Sequence, residues 1–514
     1  MGLFSDAINR FRDAAWNWLS EGRSTMLLTQ DEKKKQVLIV LARRYYDGDH
    51  DVKLTERQKE WLEQHGKTAK FAVNHGTLVV NTVVERLKVI GFEVAGEKEG
   101  DENALSKVAW KWWDANRMDA LQTEAHRKAE RDGEAFILVD WDVAAGRPID
   151  ELHQRFVDES AGGDDYGMWV EYPNDDFLQK PLMAVKQWKE KDADGKVSFR
   201  RTVYYPERIE RFIRQDGQWA PFKKNEGDIW PTPWVTASGA PLGIPVMHFR
   251  TPNAQSALKE VIPLQDAHNK TWLDLLASAD TSVFRNLFFW GVVPTTDGKD
   301  PKDDGSNLLK FKPGQVFSNK ADPAKVRLDV VEPSGLASLL EMEDRIVVRI
   351  ASVSSTPLSR FISSRQIAAE GTLKQQEAPL LGKVAERQTL YGNAWEDMVR
   401  MGARLANTFG GAAYDVDAQI NTIWANAELR DETATLQQLE AKKRLRVTDK
   451  QIWVELGYNA EQIGDFQAEL DRERAAMLLA AARAAQTALD QAANSNGNGA
   501  ANKPGVADAI PAAA

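Results

Sequence analysis

The chain has 514 residues, 43% of them hydrophobic, with 66 basic residues against 76 acidic ones and no cysteine. Its length suits roughly three ordinary domains, and the missing thiols exclude disulfides, thiolate zinc sites, iron–sulfur clusters and cysteine nucleophiles, in keeping with assembly in a reducing cytoplasm. A net charge of −10 argues against a tight nucleic-acid binder, which carries a basic excess, so any contact with DNA should be local or weak.

No run of about 18 uncharged apolar residues is present, so no membrane-spanning helix is expected. The opening MGLFSDAINR lacks the charged and apolar regions of a secretory signal, and Asp6 stands where myristoylation needs Ser or Thr. Phe4, Ile8, Phe11, Ala15 and Trp18 line one stripe of a first helix, expected to pack on protein rather than membrane. Residues 30–46 form a second helix carrying Val37, Leu38, Val40, Leu41 and Tyr45. A third runs through NHGTLVVNTVVERLKVIGF to a break at Gly91, followed by a strand at Phe92–Val94. The next helix spans Ala104–Arg131 and stops at Asp132-Gly133 before the strand AFILVDWD. Short strand-like runs (MWVEY, VSFRRTVYY, RIERFIR) among Gly, Pro and Asp clusters then complete an α+β region.

Pro263 opens a helix with the stripe Leu264, Ala267, Thr271, Leu275 and Ala279. A Gly/Pro/Asp-rich stretch with strand candidates NLFFWGVV, LLKFK and VRLDVV follows, then a helix carrying Leu336, Leu339, Ile346, Val347, Ile350 and Val353. Two helices of matched length around such an insert predict an antiparallel pair with a small module at its tip. Ser354 to Ala369 has no carboxylate, contains Arg360 and Arg365, and its Ser, Thr and Pro predict an exposed, mobile segment. A long helix to about Asn407 should kink at Pro379; DAQINTIWANAELR reads as a strand. Alanine-rich helices follow, and from Gln491 a low-complexity tail has nothing to pack.

Chemistry is hard to find. There is no G-x-x-x-x-G-K-[ST], H-E-x-x-H or G-x-S-x-G, so neither a nucleotide-hydrolysing site nor a zinc or serine hydrolase is indicated. The seven histidines (His50, His65, His75, His126, His153, His248, His268) lack metal-ligand spacing, and no metal or cofactor is expected. The acidic run Asp47–Asp51 lacks the rest of a calcium loop and reads as a solvated turn. Asp175-Asp176 and Asp303-Asp304 read as surface loops. The helix–turn–helix lookalike TDKQIWVELGYNAEQIGDFQAEL carries Glu461, Asp465 and Glu469 on its second helix, which would repel a duplex. Seventeen tryptophans suit a protein with much subunit contact surface, though any single one reads as core.

In order along the chain, RYYDGDHDVKL, NHGTLVVNTVVERLKVIGF, VIPLQDAHNKTWLDLL, STPLSRFISSRQIAAEGTLKQQEAPLLGK and IWANAELRDETATLQQLEAKK resemble portal proteins of long-tailed bacteriophages, particularly those of actinobacteria. The likeness runs from about Tyr45 to Gln486 and lies in the colinear order of diffuse patterns. It implies a mainly helical α+β portal fold assembled as a dodecameric ring: a wing (1–254), a first stem helix (255–280), a clip (281–334), a second stem helix (335–353) and a tunnel loop (354–366). A kinked helix and strand returning to the wing (367–428), crown helices (429–490) and a disordered tail (491–514) complete it. It further implies a non-enzymatic conduit at the capsid vertex of the virion, built in the host cytoplasm. Its partners would be double-stranded DNA, the terminase large subunit, a head–tail adaptor, and major capsid and scaffolding proteins. Arg360 and Arg365 would then face the DNA. Twelve subunits at −10 each would make the channel mostly repulsive, as a conduit without sticking points requires. Another oligomeric head–tail protein, an adaptor or minor capsid component, would share the charge but lack the helix pair around an insert. A nuclease or protease of the packaging module would show clustered acidic or histidine ligands.

Overall fold

The computed structural model describes residues 30–52, 54, 56–64, 73–97, 101, 103–173, 176–177, 179–191, 195–223, 227–283, 286–290, 327–331, 336–361, 370–428, 439–456, 458 and 460–496. The amphipathic start, the LLKFK strand candidate, Asp303-Asp304 and Arg365 lie outside these. The chain divides into two compact units, the larger made of Met1–Glu97 with Asn103–Leu429 and the smaller of Lys98–Glu102 with Arg430–Ala514.

In the larger unit, α1 (Gln30–Tyr46), α2 (Glu56–Gln64) and α3 (Gly76–Val84) precede β1 (Val89–Val94). Helix α3 ends well before Gly91, correcting the expected boundary. Val89, Ile90 and Phe92 are buried on both faces of a strand, and Gly91 sits beside an irregularity in its antiparallel pairing with β13 (Ile420–Trp424). Burial of β-branched residues outweighs a helical period that is only three turns long. On α1 the buried positions are Gln36, Ile39, Ala42 and Tyr45, whereas Val37 and Leu38 are exposed.

The helix expected over Ala104–Arg131 is two helices, α4 (Leu105–Ala115) and α5 (Met118–Asp132), broken where Arg117 takes left-handed angles. Tertiary hydrogen bonds account for the break. Asn116 Nδ2 donates to Asp150 Oδ2 at 2.7 Å and Pro148 O at 3.1 Å, and Arg147 donates to Asn116 Oδ1 at 2.7 Å. Those partners sit on β3 (Arg147–Gln154), which pairs with β2 (Glu134–Asp142); β2 pairs on its other edge with β10 (Val246–Arg250). Gly133 caps α5 at φ +92° and turns the chain into β2.

Between β3 and β10 lies a six-stranded antiparallel sheet: β4 (Gly167–Glu171), β5 (Met183–Lys191), β6 (Val197–Tyr204), β7 (Arg208–Gln215) and β8 (Gln218–Pro221) in sequence order, with β9 (Thr232–Pro233) on β7. It has its own core of Phe156, Trp169, Met183, Val185, Val203, Phe212 and Trp219. Helix α6 (Ile262–Val283) leads to β11 (Asn286–Trp290), whose antiparallel partner β12 (Arg327–Val331) leads to α7 (Leu336–Ser354). The helices run antiparallel: Ile262 shares a core cluster with Ile346 and Ile350, and His268 meets Glu343. That cluster also holds Ala42, Tyr45, Val79, Val80 and Val84, so the pair is seated on α1 and α3.

The 40-residue α8 (Glu370–Phe409) runs as one helix through the exposed Pro379. Its face of Leu380, Val384, Tyr391, Trp395, Met398 and Val399 enters the main core, where Trp395 meets Trp113 edge-on at 5.0 Å. In the smaller unit, α9 (Asp449–Leu456) packs on the start of α10 (Ala460–Asn496) through Trp453 and Phe466, whose rings are 5.5 Å apart. Helix α10 continues past Gln491, where the tail was expected to begin, because alanines 492 and 493 extend a helix at little cost.

Candidate nucleic-acid interface

The acidic turn after α1 is organised by an arginine. Arg44 donates to Asp49 Oδ2 at 2.9 Å and to both oxygens of Asp51 at 2.8 and 2.9 Å, and these bonds raise its pKa above the usual guanidinium range. The carboxylates are thus engaged as turn supports. Among the described residues no group of His, Asp or Glu side chains is arranged to hold a metal ion, and no helix is long and apolar enough to cross a membrane.

The segment that follows α7 corrects the expectation of exposure in its first half. Ser354 and Thr356 are buried. Ser354 Oγ bonds Ile350 O at 2.7 Å and Thr356 Oγ1 at 2.9 Å, and Thr356 N–H donates to Ala351 O at 3.0 Å. Ser355 adopts φ +56°, turning the chain out of α7. Lys383 of α8 reaches Ser354 O at 3.4 Å. The Ser354 hydroxyl and the Thr356 N–H satisfy carbonyls in the last turn of a helix that has no glycine cap. One 3-10 turn, Leu358–Arg360, then carries the chain to Phe361, whose ring meets His75 at 5.3 Å.

His75 begins a buried polar junction beneath this turn. Its ring lies 4.7 Å from that of His268, and His268 Nε2 is 3.0 Å from Glu343 of α7. Gln265 accepts from the His75 N–H at 3.0 Å and donates to Val73 O at 2.6 Å; Asn269 accepts from Val73 N–H at 3.0 Å and bonds His50 at 2.8 Å. Tyr45 donates its hydroxyl to Asp266. Burial, with the neighbouring His268 second, pushes the His75 imidazole down to about 4, so it is neutral near pH 7. Of the expected stripe Leu264, Ala267, Thr271, Leu275 and Ala279, Thr271 is buried and Leu264 and Ala267 pack partly buried against the helix-pair core. The most buried positions of α6 also include the polar Gln265, His268 and Asn269, which the stripe did not contain.

Arg360 stands on the exposed side of the turn, and its guanidinium pairs with Glu85 at the C-terminus of α3. A cavity of about 240 Å³ beside Glu85 is lined in part by Lys88, Asp119, Gln122 and Arg127. Of the two arginines singled out in the sequence, Arg360 is thus placed on an anchored turn and Arg365 lies outside the described residues. Sequence reading missed Glu85 and the buried anchors of α8: Arg387 Nε donates to Glu130 Oε1 at 2.5 Å, and Tyr391 OH donates to the same oxygen at 2.8 Å. The i, i+4 spacing of Lys383 and Arg387 on a helix with a buried face was the available signal.

The chain resembles proteins of one kind. It is 22% identical over 357 residues to the portal protein of Mycobacterium phage D29, covering 68% of each chain, and 21% identical over 367 residues to the portal protein of Mycobacterium phage L5, again covering 68% of each. The family model described as phage portal protein, SPP1 Gp6-like, matches residues 28–475, and with that span the chain belongs to this family of phage portal proteins.

Proposed function

We propose that this portal protein acts as a dodecameric ring at the capsid vertex of the virion, a conduit through which duplex DNA is packaged and ejected. Family membership over residues 28–475 carries this reading, and the antiparallel α6–α7 pair flanking the antiparallel strands β11 and β12 supports the internal assignment. In that assignment α6 and α7 are stem and residues 281–334 clip, with 1–254 as wing and 429–490 as crown inside the capsid. Terminase and then the head–tail adaptor dock on the clip. Major capsid and scaffolding proteins surround the ring during assembly in the host cytoplasm. The ring itself hydrolyses nothing.

Residues 354–366 form the tunnel loop, and Arg360 and Arg365 of each subunit touch the phosphates of the passing duplex. A guanidinium bonds phosphate oxygens without reading bases, which suits sequence-indifferent passage. Negative-stain imaging of the purified protein tests assembly: closed rings with a channel wide enough for a duplex are expected, and a homogeneous monomer or compact dimer overturns the proposal. Replacing Arg360 and Arg365 together by Glu should preserve rings and impair packaging or retention of the genome. Crosslinks from terminase to residues 431–490 instead of the clip would reverse the assigned polarity.

A further inference from the structure

Glu85 forms the C-cap of α3, its own N–H bonded to Asn81 O at 2.9 Å. A carboxylate is disfavoured there, because the last carbonyls of a helix already make the potential negative. The charge is answered from a segment 275 residues later, by Arg360. Both side chains remain in contact with solvent, at 38% exposure for Arg360 and 55% for Glu85, and pairs so exposed add little to stability. The backbone on each side is well held: α3 is buried on nearly every face, and the Arg360 turn is fastened by Thr356 and Phe361. What can move is the guanidinium.

We infer that Glu85 is a built-in competitor for the phosphate contact of Arg360, occupying the guanidinium when no duplex is beside it and yielding it when one is. The inference rests on the reading of Arg360 as a phosphate contact. Exchanging carboxylate for phosphate keeps the number of charge-assisted hydrogen bonds on Arg360 unchanged. The gain from touching DNA is therefore a difference between two similar pairs, and it stays small at every step of the duplex. A released Glu85 is solvated and has Lys88 as a neighbour on the wall of the adjoining cavity. Arg127, on the same wall, is engaged by Glu124. Glu85 thereby sets how lightly the ring holds its cargo.

The test uses full-length rings carrying Glu85→Gln, Arg360→Gln or both. Binding of a short blunt duplex is followed by fluorescence anisotropy across a salt series, with ring shape checked by negative stain. Glu85→Gln should tighten binding roughly 1.4- to fivefold, the range spanned by exposed pairs, and raise the salt needed for release. Arg360→Gln should weaken binding, and the double variant should match Arg360→Gln. Parental binding by Glu85→Gln alongside weakened Arg360→Gln removes the competitor and leaves the phosphate contact standing. Parental binding by Arg360→Gln removes the contact itself. A gain from Glu85→Gln that persists without Arg360 shows a general charge effect and overturns the inference. Should Glu85→Gln fail to form rings, Glu85→Asp, whose shorter reach loosens the pair, must give a smaller tightening in the same direction.

Discussion

Substituting Arg387 by Met should be among the most damaging single changes in the larger unit. Glu130 is fully buried on α5, and its Oε1 receives both Arg387 Nε at 2.5 Å and Tyr391 OH at 2.8 Å. Burial, then the Glu130 charge, holds the Tyr391 hydroxyl well above its usual range, so tyrosine remains a neutral donor rather than a second anion. Without Arg387 the buried carboxylate keeps one neutral hydrogen-bond donor, with Lys383 a remaining cation in its field, and breaking such a buried pair costs about 3–5 kcal/mol. That is a large share of the roughly 5–15 kcal/mol by which folded proteins are stable. Adding Glu130→Gln removes the charge while an amide oxygen can still accept from Tyr391, so the double variant should recover much of the loss. Urea unfolding followed by tryptophan fluorescence is the assay, since Trp395 and Trp113 lie in this same core. An Arg387→Met protein within about 1 kcal/mol of the parent, or a double variant no better than the single one, would refute the account of a charge left unpaired.

Other expectations concern acid, backbone and assembly. Burial pushes His126 down to about 3 and His75 and His248 to about 4, while the unfolded chain takes up these protons near pH 6.5. At these three sites the native state binds fewer protons in between, outweighing the one extra proton on Asp150, which burial raises to about 7, so the melting temperature should fall as pH drops below about 6.5. Glu134 and Glu151, held near 2, add to the loss only below about pH 4.5, where the unfolded carboxylates take up protons. His75→Gln should flatten that slope, and an unchanged slope would exclude His75 as a contributor. Gly133→Ala should cost at least about 1–3 kcal/mol in denaturant titration, because φ is +92° and the new Cβ would lie 2.6 Å from Ala254 O. Gly382→Ala, on α8 with open space around it, should stabilise by roughly 0.5–1 kcal/mol. The exposed apolar residues Leu340, Met342, Val348 and Val353 of α7 should face a neighbouring copy in the ring. Met342→Asp with Val348→Asp should then prevent ring closure with circular dichroism unchanged, and normal rings would place the interface elsewhere.

Much of this protein could be read from residue order. Helix α1, the strand before β3, the two helices around an insert and the long helix through Pro379 follow from local periodicity and from where Gly and Pro interrupt it. Those signals act between near neighbours and need no knowledge of the fold. The candidate arginines were legible for the same reason, as the only charges in a segment without carboxylates. What tertiary structure decided lies where distant segments meet. Asn116 breaks a helix because β3 supplies its hydrogen-bond partners, and Gly91 joins a strand because β13 pairs with it. Polar Gln265, His268 and Asn269 turn inward beside the expected stripe because Val73, His75 and His50 offer partners to Gln265 and Asn269 and Glu343 offers one to His268. Glu85 meets Arg360 only once α7 is seated on α3. A periodicity argument weighs hydrophobicity alone; hydrogen bonds across hundreds of residues invert it, since a buried polar group is stable only where the folded chain completes its bonds.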